Sequence, residues 1–107
     1  MLLNARKNGQ TKSGSNFDQS TVLNVWRKGL IVPGYNPQDV RKDVCGHFIK
    51  WSDYGNTSSR FGWEIDHIRP VAKQGDDNLI NLQPLQWENN RYKSDNYPNW
   101  ACKVGSR

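Results

Sequence analysis

The stretch that decides the fold runs from Trp63 to Pro98 and reads WEIDHIRPVAKQGDDNLINLQPLQWENNRYKSDNYP. Its short apolar runs, separated by turn-forming residues, predict a strand, a loop, a second strand and a helix, in that order. These elements are predicted at residues 63–68, 75–78, 79–85 and 87–95. Pro70 should end the first strand, because proline cannot donate a hydrogen bond to a strand ladder.

The N-terminal half of the chain adds further secondary structure to this unit. A helix is predicted from Phe17, with Asp18 or Ser20 as its cap and Gly29 at its end. The segments expected after it are a short apolar run at 30–32, a helical turn from 37 and a strand within 45–51. The sequence therefore predicts an α+β fold, in which a helix and short strands precede the strand–loop–strand–helix unit.

Length and composition predict one small domain after a flexible leader. Residues 1–16 are polar and basic, whereas residues 17–107 hold all the predicted elements of the 107-residue chain. Only 35% of the residues are hydrophobic, but five are tryptophans. Because each large ring buries much area, four of them are expected to supply most of the core: Trp26, Trp51, Trp63 and Trp87.

The charge of the chain favours a polyanionic partner. Fifteen Lys and Arg residues against ten Asp and Glu give a formal net charge of +5, which suits a nucleic acid. The start of the chain has no apolar run typical of a signal peptide, and no stretch is long enough to span a membrane. We therefore expect a soluble, intracellular and cytoplasmic protein without a membrane partner.

The two cysteines leave two interpretations open. Cys45 and Cys102 form no CxxC pair and could form one disulfide. Alternatively, Cys45 and His47 could join Cys102 or His67 in a zinc site, although no pair of them has a strong zinc spacing.

Three short motifs follow one another in the C-terminal unit. Asp66-His67 is followed by Pro70 after two residues, Asn81 precedes a leucine, and Asn90 is followed by Lys93 after two residues. This order resembles the HNH nuclease signature over about residues 62–98, and the last segment is similar to a helix in the HNH domain of RNA-guided CRISPR nucleases. The resemblance implies a ββα-metal motif. Several elements in the right order are far more specific than one Asp-His pair.

The resemblance also implies the roles of the site residues. His67 would be the general base, since a neutral imidazole near pH 7 can take a proton from water. Asp66 and the side-chain oxygen of Asn90 would hold a divalent metal ion, Mg²⁺ first and Mn²⁺ or another ion as the alternative. Asn81 would belong to the catalytic set by bracing the loop and helping to orient His67.

The neighbours of these residues carry two further expectations. Arg69, Lys73, Arg91 and Lys93 flank the site and are expected to contact the backbone phosphates of double-stranded DNA. Asp66 and His67 are adjacent, however, and neighbours on a regular strand point to opposite faces. Both can therefore serve one phosphate only if the strand curls or ends there.

The chain departs from the family at two positions. Many members carry zinc-binding cysteines where this chain has Gln86 and Asn89, so no structural zinc is expected. The predicted reaction is metal-dependent hydrolysis of DNA, by nicking one strand or cutting both. The alternatives are a nucleic-acid-binding module that keeps the scaffold without cutting, and a nuclease active only with a partner protein. RNA as substrate and a homodimer also remain open.

Overall fold

The computed structural model describes residues 6–105 and has the mixed α+β composition that the sequence predicts. In chain order the helices and strands are α1 Gln19–Trp26, β1 Val40–Lys42, β2 Phe48–Lys50, β3 Trp63–His67, β4 Leu82–Gln86 and α2 Trp87–Lys93. Single 3-10 turns occupy Trp51–Asp53, Val71–Lys73 and Leu79–Asn81. Neither α-helix is long and apolar enough to cross a membrane, and residues 6–105 contain no other α-helix.

The strands form two antiparallel pairs. In the first, β1 pairs with β2, and in the second, β3 pairs with β4, with Trp63 opposite Gln86 and His67 opposite Leu82. Helix α2 starts directly after β4, because the Gln86 side chain accepts hydrogen bonds from the first free backbone N–H groups, those of Glu88 and Asn89. The predicted order of strand, strand and helix is therefore present in the C-terminal part.

The core lies between α1 and the β3–β4 pair and is built around two buried tryptophans. Trp26 and Trp63 are 1% and 0% exposed, with ring centroids 5.2 Å apart, and the half-buried Trp51 packs edge-on against Trp26. The buried aliphatic residues beside them are Val22, Val25, Ile49, Ile65 and Leu82. The expectation of a tryptophan core is confirmed for Trp26 and Trp63, with the partly buried Trp51 packed against them, whereas Trp87 is partly buried and is not part of this cluster.

Several predicted boundaries are wrong for local reasons. The second C-terminal strand begins at Leu82 instead of Leu79, because the three residues before it form a 3-10 turn. The strand predicted within 45–51 is confined to 48–50, since Gly46 has a φ of 82° in a tight turn. The helical turn expected from Pro37 is followed by β1, which the sequence did not predict.

A buried hydrogen-bond network surrounds Gln86 and Asn89, the two positions where the resemblance implies zinc-binding cysteines in many family members. The carboxylate of Asp43 is 1% exposed and accepts from the backbone N–H groups of Cys45, His47 and Gln86 and from the Asn89 amide. The Asn89 oxygen in turn accepts from two N–H groups of the C-terminal segment, at positions 103 and 104. Hydrogen bonds to one carboxylate thus connect the two positions that the family resemblance assigns to cysteines.

A disulfide closes the same region and decides between the two interpretations of the cysteines. Cys45 and Cys102 are bonded, with Cα atoms 5.9 Å apart, so neither thiolate is free to bind zinc. His47 is 9% exposed, and its Nδ1 lies 2.8 Å from the carbonyl oxygen of Phe48. The zinc site that would use Cys45 and His47 is therefore wrong.

The described part of the leader contacts the rest of the chain without forming a helix or strand. Its residues 6–16 are held by turns of their own and by a long-range hydrogen bond, in which the Lys12 backbone N–H donates to Asp77. Residues 1–5 lie outside the described part. The flexibility of the leader and the domain boundary after residue 16 stay predictions.

Candidate active site

The end of β3 brings the two central residues of the motif to one cavity. Asp66 and His67 are 5% and 3% exposed, and both line a polar cavity of about 240 Å³ together with Asn90. The opposite-face difficulty does not keep them apart, because His67 is the last residue of the strand. The cavity is completed by residues from the leader and from the end of α2, among them Arg6, Asn8, Ser94 and Asp95.

The imidazole of His67 is held by a carboxylate that the sequence did not single out. Its Nε2 lies 2.8 Å from Oδ1 of Asp77, which is 40% exposed. The sequence shows two adjacent acids in this loop, Asp76 and Asp77, and offers no signal that distinguishes them. The carboxylate of Asp76 does not hydrogen-bond to His67 and instead accepts two hydrogen bonds from Asn78.

Asp66 is a buried carboxylate with a donor on each oxygen. Oδ2 accepts from Nε2 of Gln83 at 2.9 Å, and Oδ1 lies 3.2 Å from Nζ of Lys93. Burial raises the pKa of Asp66 above its ordinary value of 3.8, while the hydrogen bond from Gln83 and the charge of Lys93 partly oppose that rise. The protein therefore holds this acid in a setting that disfavours its charge.

Lys93 does not lie where the sequence led us to expect it. Its side chain is 0% exposed, and besides Asp66 its ammonium contacts the backbone oxygen of His67 at 3.0 Å. A contact between Lys93 and a DNA phosphate does not fit this position, because the charge is buried under the site. The residue faces inward because it follows Asn90 by three positions on the helical face that packs against β3.

Asn90 is oriented by a second buried acid. Its side-chain nitrogen donates to Oε1 of Glu64 at 2.9 Å, and the other oxygen of Glu64 lies 3.1 Å from a guanidinium nitrogen of Arg91. Because a carboxylate only accepts hydrogen bonds, the amide nitrogen must face Glu64. The Asn90 oxygen is thereby left without a competing donor among the described residues.

Asn81 braces the loop that follows β3. Its side-chain oxygen accepts from the backbone N–H of Arg69, and its amide nitrogen donates to the carbonyl oxygens of Arg69 and Asp76. Gly75 closes the loop, since a Cβ there would lie 1.7 Å from the Arg69 carbonyl oxygen. Asn81 makes no hydrogen bond to the ring of His67, so it can act on that ring only through the loop.

Residues 57–99 match the model of a known protein family described as HNH endonuclease. The match covers less than half of the chain and supports an assignment of this segment to the HNH family. No curated protein and no solved structure matches the chain significantly. The HNH segment contains β3, β4, α2 and all eight residues predicted for the site, whereas the leader, α1 and the first strand pair lie outside it.

The basic residues of the HNH segment differ in how freely they face solvent. Arg69 and Lys73 are exposed and donate to backbone oxygens of Lys73 and Asp95, respectively. The side chain of Arg91 is 45% exposed in spite of its ion pair with Glu64. Arg6 lines the cavity from outside the HNH segment, and its position depends on the fold of the leader.

The acidic and amide residues at the cavity form a donor set of limited charge. Across residues 6–105, no three His, Cys, Asp or Glu side chains are grouped so that they could hold a metal ion. The predicted ligands are instead one carboxylate, Asp66, and one amide oxygen, Asn90, beside the imidazole of His67. Hard oxygen donors of this kind suit a divalent cation that retains several of its waters, as Mg²⁺ does.

Proposed function

We propose that this protein is a metal-dependent endonuclease that hydrolyses DNA phosphodiester bonds, nicking one strand or cutting both. The observation that carries the proposal is the meeting of Asp66, His67 and Asn90 at one polar cavity inside an HNH segment. Hydrolysis needs a base for the water and positive charge for the phosphate, and this cavity has candidates for both.

The base would be Nδ1 of His67. Because Nε2 faces the Asp77 carboxylate, the neutral ring carries its proton on Nε2 and keeps a lone pair on Nδ1. A water in the cavity can lose its proton to that lone pair as its oxygen attacks phosphorus, while the bond from phosphorus to the leaving sugar oxygen breaks and that oxygen takes a proton from solvent. The imidazolium that results is stabilised by the negative charge of Asp77.

The divalent ion would be held by Asp66 and by the oxygen of Asn90. The donors fit, because Glu64 binds the nitrogen of Asn90 and each oxygen of Asp66 retains a second lone pair beside its present hydrogen bond. When bound, such an ion stabilises the negative charge that develops on the phosphate and the leaving oxygen. Mg²⁺ is the first choice, and Mn²⁺ the alternative.

Exposed basic side chains of the HNH segment, together with Arg6, suit an anionic substrate. Arg6 lines the cavity, while Arg69, Lys73 and Arg91 do not line it but are partly or fully exposed. Side chains of this kind bind backbone phosphates with little reading of base sequence. We therefore expect salt-dependent binding of double-stranded DNA with weak sequence preference.

The test is cleavage of supercoiled plasmid by purified protein with Mg²⁺ or Mn²⁺, with EDTA as the metal-free control. His67→Ala should abolish cleavage while DNA binding and the circular dichroism spectrum are retained. His47→Ala is the matched control, because it removes the other histidine, which does not line the cavity. Equal cleavage by His67→Ala and wild type would contradict the proposal.

One observation favours a second candidate, a binding module that has kept the scaffold without cutting. The buried ammonium of Lys93 lies against the carboxylate that the nuclease needs as a metal ligand. In such a module the ammonium would replace the metal ion as the counter-charge. DNA binding without cleavage in either metal would support this candidate, or a nuclease that needs a partner protein.

The disulfide bears on the cellular compartment in which the protein works. Disulfides persist mainly in oxidising compartments, and the Cys45–Cys102 bond therefore does not favour the cytoplasm. The cytoplasmic location stays a prediction. Labelling of free thiols in protein isolated without reductant would show whether the bond exists in the cell.

A further inference from the structure

We propose that Asp77 is a positioning residue for His67, which fixes the ring and its Nε2–H tautomer, and that the leader holds Asp77 in place for this task. The kinetic part of this inference rests on the proposed nuclease function. The tautomer itself does not, and it can be measured in the metal-free protein.

The first support is the geometry of the pair. Nε2 of the buried ring lies 2.8 Å from Oδ1 of Asp77, a distance typical of a strong hydrogen bond to a charged acceptor. The ring of Phe17 lies 6.0 Å from the His67 ring, centroid to centroid, on a segment outside the HNH match. Two contacts from different parts of the chain thus restrict the orientation of His67.

The second support is that Asp77 is itself fixed. The backbone N–H of Lys12 donates to both of its oxygens, at 2.9 and 3.2 Å, across 65 residues of sequence. The preceding residue, Asp76, offers its backbone oxygen to Asn81. A loop carboxylate that is only an exposed charge needs no such clamp. The leader therefore takes part in the site through its backbone.

The chain contains an internal reference for the measurement. It has two histidines, and Nδ1 of His47 lies 2.8 Å from a carbonyl oxygen, which can only accept. His47 must therefore carry its proton on Nδ1 when it is neutral. The two neutral histidines are expected to hold opposite tautomers.

The experiment compares Asp77→Ala with Asp76→Ala by ¹⁵N NMR of the imidazole nitrogens, in alkaline solution with EDTA. Wild type should give one Nε2–H pattern and one Nδ1–H pattern, with the signals assigned by His47→Ala. In Asp77→Ala, His67 should change to an average of two tautomers while His47 stays unchanged. Asp76→Ala removes the same charge from the same loop and should leave both patterns intact.

Steady-state cleavage is the second measurement. Asp77→Ala should lower kcat by about 10- to 100-fold, the usual loss when a group that orients a site residue is removed. KM should change by less than about threefold, because the lost contact acts in the transition state and not in substrate binding. Asp76→Ala should keep both constants.

The inference is overturned if His67 keeps a single Nε2–H tautomer in Asp77→Ala, or if the two loop variants have the same kcat. Failure of the proposed function looks different. In that case wild type does not cleave DNA, but the NMR comparison still decides whether Asp77 sets the tautomer. A role confined to stability would change the unfolding of Asp77→Ala and leave the imidazole signals as in wild type.

Discussion

Replacing Lys93 by methionine would remove the ammonium that lies beside the buried carboxylate of Asp66 while keeping most of the side-chain volume. Lys93 is 0% exposed, and its Nζ lies 3.2 Å from Oδ1 of Asp66. At this distance an effective dielectric constant of about 20 gives an attraction of about 5 kcal/mol. Loss of one member of a buried pair typically costs about 3–5 kcal/mol, because the other charge stays behind. We expect Lys93→Met to lose that much stability at neutral pH.

The pKa of Asp66 gives the pH dependence of this loss. Burial raises that pKa above 3.8, so the native state binds an extra proton in the range between 3.8 and the folded value. Stability therefore falls as pH rises through that range. Lys93 opposes the rise, and its removal should widen the range. The deficit of Lys93→Met relative to wild type should grow from acid to neutral pH.

Urea unfolding of metal-free protein, followed by tryptophan fluorescence from about pH 4 to about pH 8, would measure this difference. Lys73→Met is the matched control, because Lys73 is exposed, and it should change stability by less than about 0.5 kcal/mol. The double variant Asp66→Asn/Lys93→Met should regain much of the loss, since it buries no unpaired charge. A deficit no larger than that of the control, or one independent of pH, would refute the reasoning.

Three further predictions concern metal binding, stability and DNA binding. Glu64→Gln should weaken Mn²⁺ binding in calorimetry by about 10- to 100-fold, because an amide at that position no longer forces the Asn90 nitrogen to face it. Unchanged Mn²⁺ affinity would exclude a role of Glu64 in orienting Asn90. The double variant Cys45→Ser/Cys102→Ser should have a free energy of unfolding about 2–4 kcal/mol lower than wild type, since the bond closes a loop with a sequence separation of 57. Equal urea midpoints would show that the bond does not constrain the unfolded chain. Arg69→Ala should weaken DNA binding and reduce the slope of log K against log salt by about one, and an unchanged slope would mean that Arg69 contacts no phosphate.

The structure corrects the sequence-based interpretation mainly where a side chain chooses its partner. Asn81 was expected to brace the loop and help to orient His67; its hydrogen bonds go to the loop, while the carboxylate beside the ring belongs to Asp77, which the sequence did not single out. An effect of Asn81 on the ring stays a prediction. Lys93 was expected at a phosphate and is instead in a buried ion pair. No pattern in the sequence gives these pairings, because each depends on how the strand, the loop and the helix approach one another.

The sequence by itself determined the order of strand, strand and helix and the set of residues that belongs to the HNH segment. These features are encoded locally, in the apolar pattern, the turn residues and the spacing between Asp66 and Asn90. Only the tertiary structure decided that Lys12 holds Asp77 and that Arg6 lines the cavity. It also decided that the Asp43 carboxylate accepts hydrogen bonds from both Gln86 and Asn89. The physical reason is that hydrogen bonds and ion pairs between distant residues depend on packing geometry and burial, which local sequence patterns do not encode.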